Sequence, residues 1–380
     1  MPASLAGVRC LVTGAGGFLG QKIVQMLLEE EEGLAELRMM DLAFSPTLLR
    51  VCDNYQGKTK LQLMKGDIQD AMLLLRASQG LSLVIHTAAI IDTLGKFPAE
   101  KVMGVNVKGT QLLLDACIQN NVNNFIYTSS VEVVGPNMRG DPIFNGTEDL
   151  VYESNDSFIY GRSKRIAEKC VLQANGQPLD NGTSLVTCAL RCMYIFGEES
   201  QFLMMHLDGA IMNRDVFPRL SRKEAAVNPA FVGNVAWAHI QAAKAMRDPE
   251  LVSQVGGQFY YISDDTPHLS YSDFNHELGK ELGFGVEPKL CMPLSLLYTF
   301  AFVMEMVSLL LRPFVKFVPP TSRHLLNLLH TPFTFSYKKA QKDFGYKPRY
   351  SWEDAKRITT AWMAAQVPLR REILKRQKQR

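Results

Sequence analysis

No two of the seven cysteines form a C-x-x-C pair, so the sequence offers neither a dithiol redox centre nor a cysteine zinc site. Their odd number and scattered placement fit reduced, mostly buried thiols in a reducing compartment. Charge of one sign is also missing: 41 Lys+Arg against 38 Asp+Glu leave a net charge of +3, too little for a broad nucleic-acid field. No nucleic-acid partner is expected. The basic tail Lys375-Arg376-Gln377-Lys378-Gln379-Arg380 reads as a solvated helix end. There is no internal repeat and no low-complexity tract. No charged region followed by an apolar signal run opens the sequence, so no signal peptide is expected. Asn145-Gly146-Thr147, Asn155-Asp156-Ser157 and Asn181-Gly182-Thr183 are formal glycosylation sequons, expected to stay unused if the catalytic domain faces the cytosol.

What is present is an alternation. Short apolar runs at Val8–Thr13, Leu37–Asp41, Leu61–Met64, Leu83–Thr87, Phe125–Ser129, Leu185–Leu190 and Phe259–Ile262 are separated mostly by helical patterns such as Gly20–Glu31 and Thr110–Asn120. This predicts an α/β fold, a doubly wound parallel sheet of Rossmann type, with a smaller C-terminal substrate and membrane region. The expected division is a cofactor-binding core over residues 1–265, with a substrate-side insertion near 198–227, and a covering region over 266–380.

Val12-Thr13-Gly14-Ala15-Gly16-Gly17-Phe18-Leu19-Gly20 leaves a strand and enters a helix. Gly14 suits the tight turn, Gly17 the approach of backbone amides to a pyrophosphate, and Gly20 close helix–strand packing. Asp41 ends the second strand about 20 residues on, where a carboxylate accepts from a ribose 2′-hydroxyl and repels a 2′-phosphate. Leu42 follows it, so no adjacent cation offsets that repulsion. NAD is therefore expected over NADP. Asp67, after the third strand, is a candidate for the adenine amino group and equally for a helix cap. The small residues of His86-Thr87-Ala88-Ala89 leave room for cofactor contacts or simply make a tight loop.

Tyr160-Gly161-Arg162-Ser163-Lys164 sets a phenol and an ammonium four apart on one helix face. Such a pair suits oxidation of an alcohol: the phenolate takes the hydroxyl proton, and the cation is expected to lower the tyrosine pKa. Tyr127-Thr128-Ser129-Ser130 closes the fifth strand at the sheet edge where ligands bind, and a serine there can donate to the substrate oxygen.

With these residues together, the chain resembles the extended short-chain dehydrogenase/reductase family. Within it, the chain is most similar to vertebrate 3β-hydroxysteroid dehydrogenase/Δ5→4-isomerases. The resemblance covers nearly the whole chain and is most specific at Thr13–Gly20, Asn106–Gln111, Tyr127–Gly135, Asn228–His239, Phe259–His268 and Phe333–Ala340. It implies that Tyr160 is the catalytic phenol, Lys164 its partner and a ribose ligand, and Ser130 rather than Ser129 the hydroxyl donor. Asn106 would hold the active-site helix, or only start a helix. The implied activity oxidises 3β-hydroxy-5-ene steroids and then moves the double bond into conjugation. Asp264 or Asp265, with Tyr260 or Tyr261 as acid, is the pair implied for that second step; the same Asp-Asp-Thr-Pro run is also good turn chemistry. Two departures stand out: Gly161-Arg162 replaces the family's Pro-His, and Cys192 replaces a common Pro.

Leu294–Leu311 carries one charge, Glu305, and is nearly as long as a bilayer crossing. Ser295, Thr299, Glu305 and Ser308 fall on one half of its helical wheel, which favours a helix lying partly in the membrane over a clean span. The resemblance implies membrane lipid as a partner, in endoplasmic reticulum and mitochondria, and a second copy of the chain is a further candidate partner.

Overall fold

Parallel strands require crossover connections, and helices placed between apolar runs supply them. A computed structural model of the chain describes residues 4–378 apart from 94, 153–157, 312, 313 and 316. The sequon at Asn155 lies outside the described residues. Seven strands, β1 (Arg9–Thr13), β2 (Glu36–Asp41), β3 (Lys60–Lys65), β4 (Leu83–His86), β5 (Asn124–Ser130), β6 (Val186–Cys192) and β7 (Gln258–Ile262), form one parallel sheet. Their order is β7-β6-β5-β4-β1-β2-β3. The direction of winding reverses between β1 and β4, the place where such sheets bind ligands outside their carboxyl ends. The doubly wound parallel sheet expected from the alternation is present, with strand ends within about two residues of the apolar runs.

The helices that position the site are α1 (Phe18–Glu30), α2 (Thr110–Gln119), α3 (Ile159–Gln173) and α4 (Val232–Ala245). One core lies where α1 and α4 cover the sheet, with Ile23, Val24, Val235 and Ile240 inside it. The second lies under α2 and α3, around Leu113, Leu114, Ala167 and Val171. Burial on both faces explains why β1, β4 and β5 read as unbroken apolar runs rather than alternating ones.

Beyond the sheet come α5 (Leu294–Leu311), α6 (Arg323–His330) and α7 (Trp352–Lys378). A short strand at Phe333–Phe335 pairs in parallel with Ile143–Gly146 and ties this part of the chain to the core. Among the described residues α5 is the one helix long and apolar enough to cross a membrane, with mean hydropathy 2.0 and 6% of it buried. Its polar side faces protein: Glu305 accepts from the Arg323 backbone N–H (2.7 Å) and guanidinium (2.8 Å), Tyr298 donates to Asn327 (2.5 Å), and Ser308 donates to the Phe317 carbonyl (2.7 Å). Leu296, Phe300, Phe302, Val303, Leu309 and Leu310 point out, each more than two-fifths exposed.

Candidate active site

The turn from β1 into α1 is built around backbone, not side chains. Gly14 has φ +72°, a conformation that glycine enters without strain, and a Cβ there would sit 2.6 Å from the Ala88 nitrogen. A Cβ on Gly20 would meet the Gly14 carbonyl at 2.0 Å, so α1 approaches the turn as closely as a glycine allows. Gly17 caps α1 with no side-chain acceptor, so the first helical amides of Phe18 and Leu19 receive no help from that residue. Ala15 is fully buried beneath the turn. Gly16 lies against the β2 end: its N–H donates to Asp41 Oδ2 at 2.9 Å, and Leu42 N–H donates to Oδ1 at 2.7 Å. A tight glycine turn, its own amides held by Met40, Asp41 and Gly14, that opens onto the start of α1 with a partly exposed carboxylate beside it fits the pyrophosphate and ribose of a dinucleotide. Asp67 accepts from Gln69 N–H (2.9 Å) in a local turn, while Asp70 caps the following helix. His86 bridges Thr13 (2.7 Å) and Thr110 (2.9 Å), and burial drives its pKa down to about 3. It is a neutral strut between strand and helix.

Four-residue spacing places Tyr160 and Lys164 on the buried face of α3, in line with Ala167 and Val171. Strand alternation separates the two serines at the end of β5. Ser129 donates to Glu168 at 2.6 Å, whereas Ser130 turns to the other side, toward the Tyr160 phenol, whose pKa it acts to lower. Glu168 in turn holds Arg191 (2.7 and 3.0 Å), and Arg191 donates to Tyr261 (2.9 Å). That buried network fixes α3 against β5, β6 and β7. Lys164 donates to the Thr128 carbonyl at 2.5 Å and lies 4.3 Å from the Tyr127 ring centre. Asn106 accepts from Ile90 N–H (2.8 Å) and donates to Ser163 (2.9 Å), joining the loop after β4 to the helix turn between Tyr160 and Lys164.

The electrostatics differ from the expectation that the cation would lower the tyrosine pKa. Burial, and next the Glu132 carboxylate, push the Tyr160 phenol above its ordinary range; the Ser130 hydrogen bond opposes this. Burial also lowers Lys164 to about 8, against the raising effect of Cys192 and Glu168. Desolvation acts on both partners and exceeds their pairing.

The Asp pair is placed differently from the serine, tyrosine and lysine. Asp264 is buried and accepts three hydrogen bonds: from Phe231 N–H (2.8 Å), Asn234 (2.8 Å) and Thr266 N–H (3.0 Å). It caps the start of α4. Asp265 is exposed and accepts from Tyr337 at 2.8 Å. Tyr260 donates to Asp343 (3.2 Å), and Tyr261 is held by Arg191. None of these four side chains bonds Ser130, Tyr160 or Lys164 among the described residues.

A carboxylate that sequence reasoning passed over lies closer. Glu132 follows Ser130 by two residues in a tight turn, and its N–H donates to the Ser130 hydroxyl at 3.2 Å. Its Oε2 is buried with no hydrogen-bond partner among the described residues, 3.7 Å from His324 Nε2 of α6. Gly161 makes room for this turn, since a Cβ there would meet the Glu132 carbonyl at 2.6 Å. Of the two departures from the family pattern, Arg162 faces solvent and Cys192 is buried beside Lys164. The signal for Glu132 in the sequence was its place just past the catalytic strand.

A glycine cradle at the switch point and a Ser/Tyr/Lys set at the same sheet edge define a dinucleotide-dependent oxidoreductase of the extended short-chain type. The chain belongs to the 3-beta hydroxysteroid dehydrogenase/isomerase family, whose profile matches residues 11–295. Solved structures share the fold at low identity. The protein gox2253 is 26% identical with TM-score 0.67, the alignment covering 94% of this chain and 98% of that one. DesIV, a dTDP-glucose 4,6-dehydratase from Streptomyces venezuelae solved with NAD, is 19% identical with TM-score 0.68, over 95% and 98%. A mutant UDP-glucuronic acid 4-epimerase from Bacillus cereus, also with NAD, is 17% identical with TM-score 0.68, over 94% and 99%.

Proposed function

We propose that the chain oxidises the 3β-hydroxyl of 5-ene steroids and isomerises the resulting ketone to the conjugated 4-ene form, as a membrane-associated enzyme of steroid synthesis. The cofactor is NAD. Bound at Gly14–Gly20, Asp41 and Lys164, it supplies the hydride acceptor and a positively charged ring. The observation that carries the reading is the Ser130–Tyr160–Lys164 set, with its tyrosine and lysine buried, in a chain of this family. Ser130 donates to the C3 oxygen and orients it; Tyr160, as the phenolate, takes the hydroxyl proton and becomes the neutral phenol; Lys164 favours the phenolate from which that step starts. For the second step we assign Glu132 as base, in place of Asp264 or Asp265, whose carboxylates are already engaged. Its Oε2, which has no hydrogen-bond partner among the described residues, removes a proton from C4, the double bond shifts, and the same proton is returned at C6, restoring the carboxylate. Division near residue 265 into a cofactor-binding core and a substrate-covering remainder belongs to this proposal. So does seating of α5 in the plane of an endoplasmic reticulum or mitochondrial membrane, because its polar side is occupied by α6 while its apolar side is bare.

The test incubates the protein with pregnenolone and NAD, following NADH and the conjugated ketone by absorbance. Turnover of neither this nor other 3β-hydroxysteroids would overturn the reading. Glu132→Gln separates the steps: conversion of a supplied 5-ene-3-ketone should fall about 10²–10⁴-fold. Dehydrogenation should persist, with its acid limb moved to lower pH because an anion that raises Tyr160 has gone. An unchanged isomerase rate would remove Glu132 from that role.

A further inference from the structure

A shallow, open concavity lies at the foot of α5, formed by residues outside the catalytic set. It is a cleft of about 520 Å³ lined by Arg219, Arg222, Lys223, Lys289, Met292 and Pro293. Helix α5 begins at the next residue, Leu294. Arg219 is buried and neutralised by Asp273 at 2.8 Å, so it serves as a wall. Arg222, Lys223 and Lys289 are exposed, and Glu224 is the carboxylate that opposes them in the lining. Arg222 also donates to the His330 carbonyl at 2.9 Å, which fastens the cleft to the end of α6. Cleft, α5 and α6 are thus joined, with cations at one end of an apolar surface.

We infer that this cleft receives the phosphate-bearing headgroup of an anionic phospholipid while α5 lies among the acyl chains beside it. The inference rests on the in-plane seating of α5 proposed above. An in-plane helix sits with its apolar side about 5–10 Å below the headgroup boundary, and the residues just before it then lie at headgroup level. Cations held there meet the negative surface potential of a leaflet rich in acidic lipid, and each contributes about a fivefold gain in membrane affinity. Charge selects the ligand class: the net positive rim fits an acidic headgroup, and Met292 and Pro293 face the apolar layer. A soluble anion would gain nothing from that neighbouring apolar face.

The experiment is co-sedimentation of the full chain with vesicles of phosphatidylcholine alone and of phosphatidylcholine with phosphatidylserine, at low and high salt. The wild-type chain should bind both, with a salt-sensitive increment for the anionic vesicles. Lys223→Gln with Lys289→Gln should cut that increment by about 25-fold and leave binding to neutral vesicles unchanged. Glu224→Gln should act oppositely, raising it by about fivefold. Both positions altered in the double variant are exposed and outside the catalytic set, so unchanged dehydrogenase activity in detergent verifies folding. A full increment retained by the double variant overturns the cleft assignment. An increment erased by millimolar inorganic phosphate at constant ionic strength marks a free-phosphate site and also overturns it. Failure of the wild-type chain to bind neutral vesicles strikes instead at the seating of α5.

Discussion

Replacing Asp264 with alanine would leave three buried donors facing a void: the Phe231 and Thr266 amides and the Asn234 side chain. Burial raises this carboxyl's pKa, and the hydrogen bonds from Asn234, Thr266 and Phe231 act against that rise. Each charge-assisted bond lost from a buried group costs about 1.5–3 kcal/mol, so three cost roughly 4–9 kcal/mol. Unfolding entropy of about 2.1 cal/mol/K per residue gives roughly 0.8 kcal/mol/K for 380 residues unfolding together. The melting point should fall by about 5–11 °C, with dehydrogenase and isomerase rates depressed together near the transition. Asp264→Asn keeps one carbonyl oxygen for the Phe231 and Asn234 donors but sets an N–H₂ against the Thr266 amide. Its cost is about 1–3 kcal/mol, or roughly 1–4 °C. Scanning fluorimetry alongside separate assays of the two reactions decides the matter. An Asp264→Ala protein with wild-type melting point and dehydrogenase rate but no isomerase would refute the capping role and make Asp264 the base.

Tyr160→Phe should abolish dehydrogenation while cofactor affinity, read by fluorescence quenching, stays nearly unchanged; a wild-type rate would remove the phenol from the mechanism. Asp41→Ala should weaken NAD by about 10–100-fold through the loss of one charged acceptor and improve NADP relative to it. Unchanged selectivity in titrations of both cofactors would show that another residue sets it. Lys164→Met should end turnover yet stabilise the cofactor-free protein at pH 7. Burial lowers the Lys164 pKa from 10.5 to about 8, so the folded state binds fewer protons than the unfolded chain between those values. Wild-type stability therefore rises with pH across that window, and below pH 8 the full penalty of roughly 3 kcal/mol applies. The methionine variant removes it, less about 1 kcal/mol for the orphaned Thr128 carbonyl. A melting point below wild type would refute this.

The sheet was legible because its central strands are short runs buried on both faces, although β3 at the edge is largely exposed, and the glycine turn because its geometry is local. Tyr160 and Lys164 could be named from their helical spacing, whereas the choice of Ser130 over Ser129 came from the family resemblance. In the structure Ser129 is turned toward Glu168. What escaped depends on partners distant in sequence. Asp264 reads as turn chemistry until Phe231 and Asn234, about 30 residues earlier, are seen to donate to it. The Glu168–Arg191 pair joins α3 to β6, and no spacing rule connects them. The helical wheel identified the polar side of α5, but not that Arg323 on the next helix covers Glu305.

The tyrosine and lysine show why spacing alone gave the wrong sign for their titration. Four residues on a helix bring two groups near enough for a cation to favour a phenolate, and in water that pairing would decide the outcome. Here both groups lie inside the protein, where each loses more by shedding water than it gains from the other. The Lys164 ammonium is committed to the Thr128 carbonyl, and the nearest influence on Tyr160 after burial is the negative charge of Glu132. The resting site therefore holds a neutral phenol, with a lysine that gives up its proton near pH 8. After burial, Glu132 is the next influence that keeps the phenol protonated, and its Oε2 has no hydrogen-bond partner among the described residues, with His324 Nε2 3.7 Å away. Positive charge brought to this pocket when a dinucleotide binds favours the Tyr160 phenolate and opposes protonation of Lys164. Occupancy of the glycine cradle therefore acts on the proton acceptor together with the pH of the solvent.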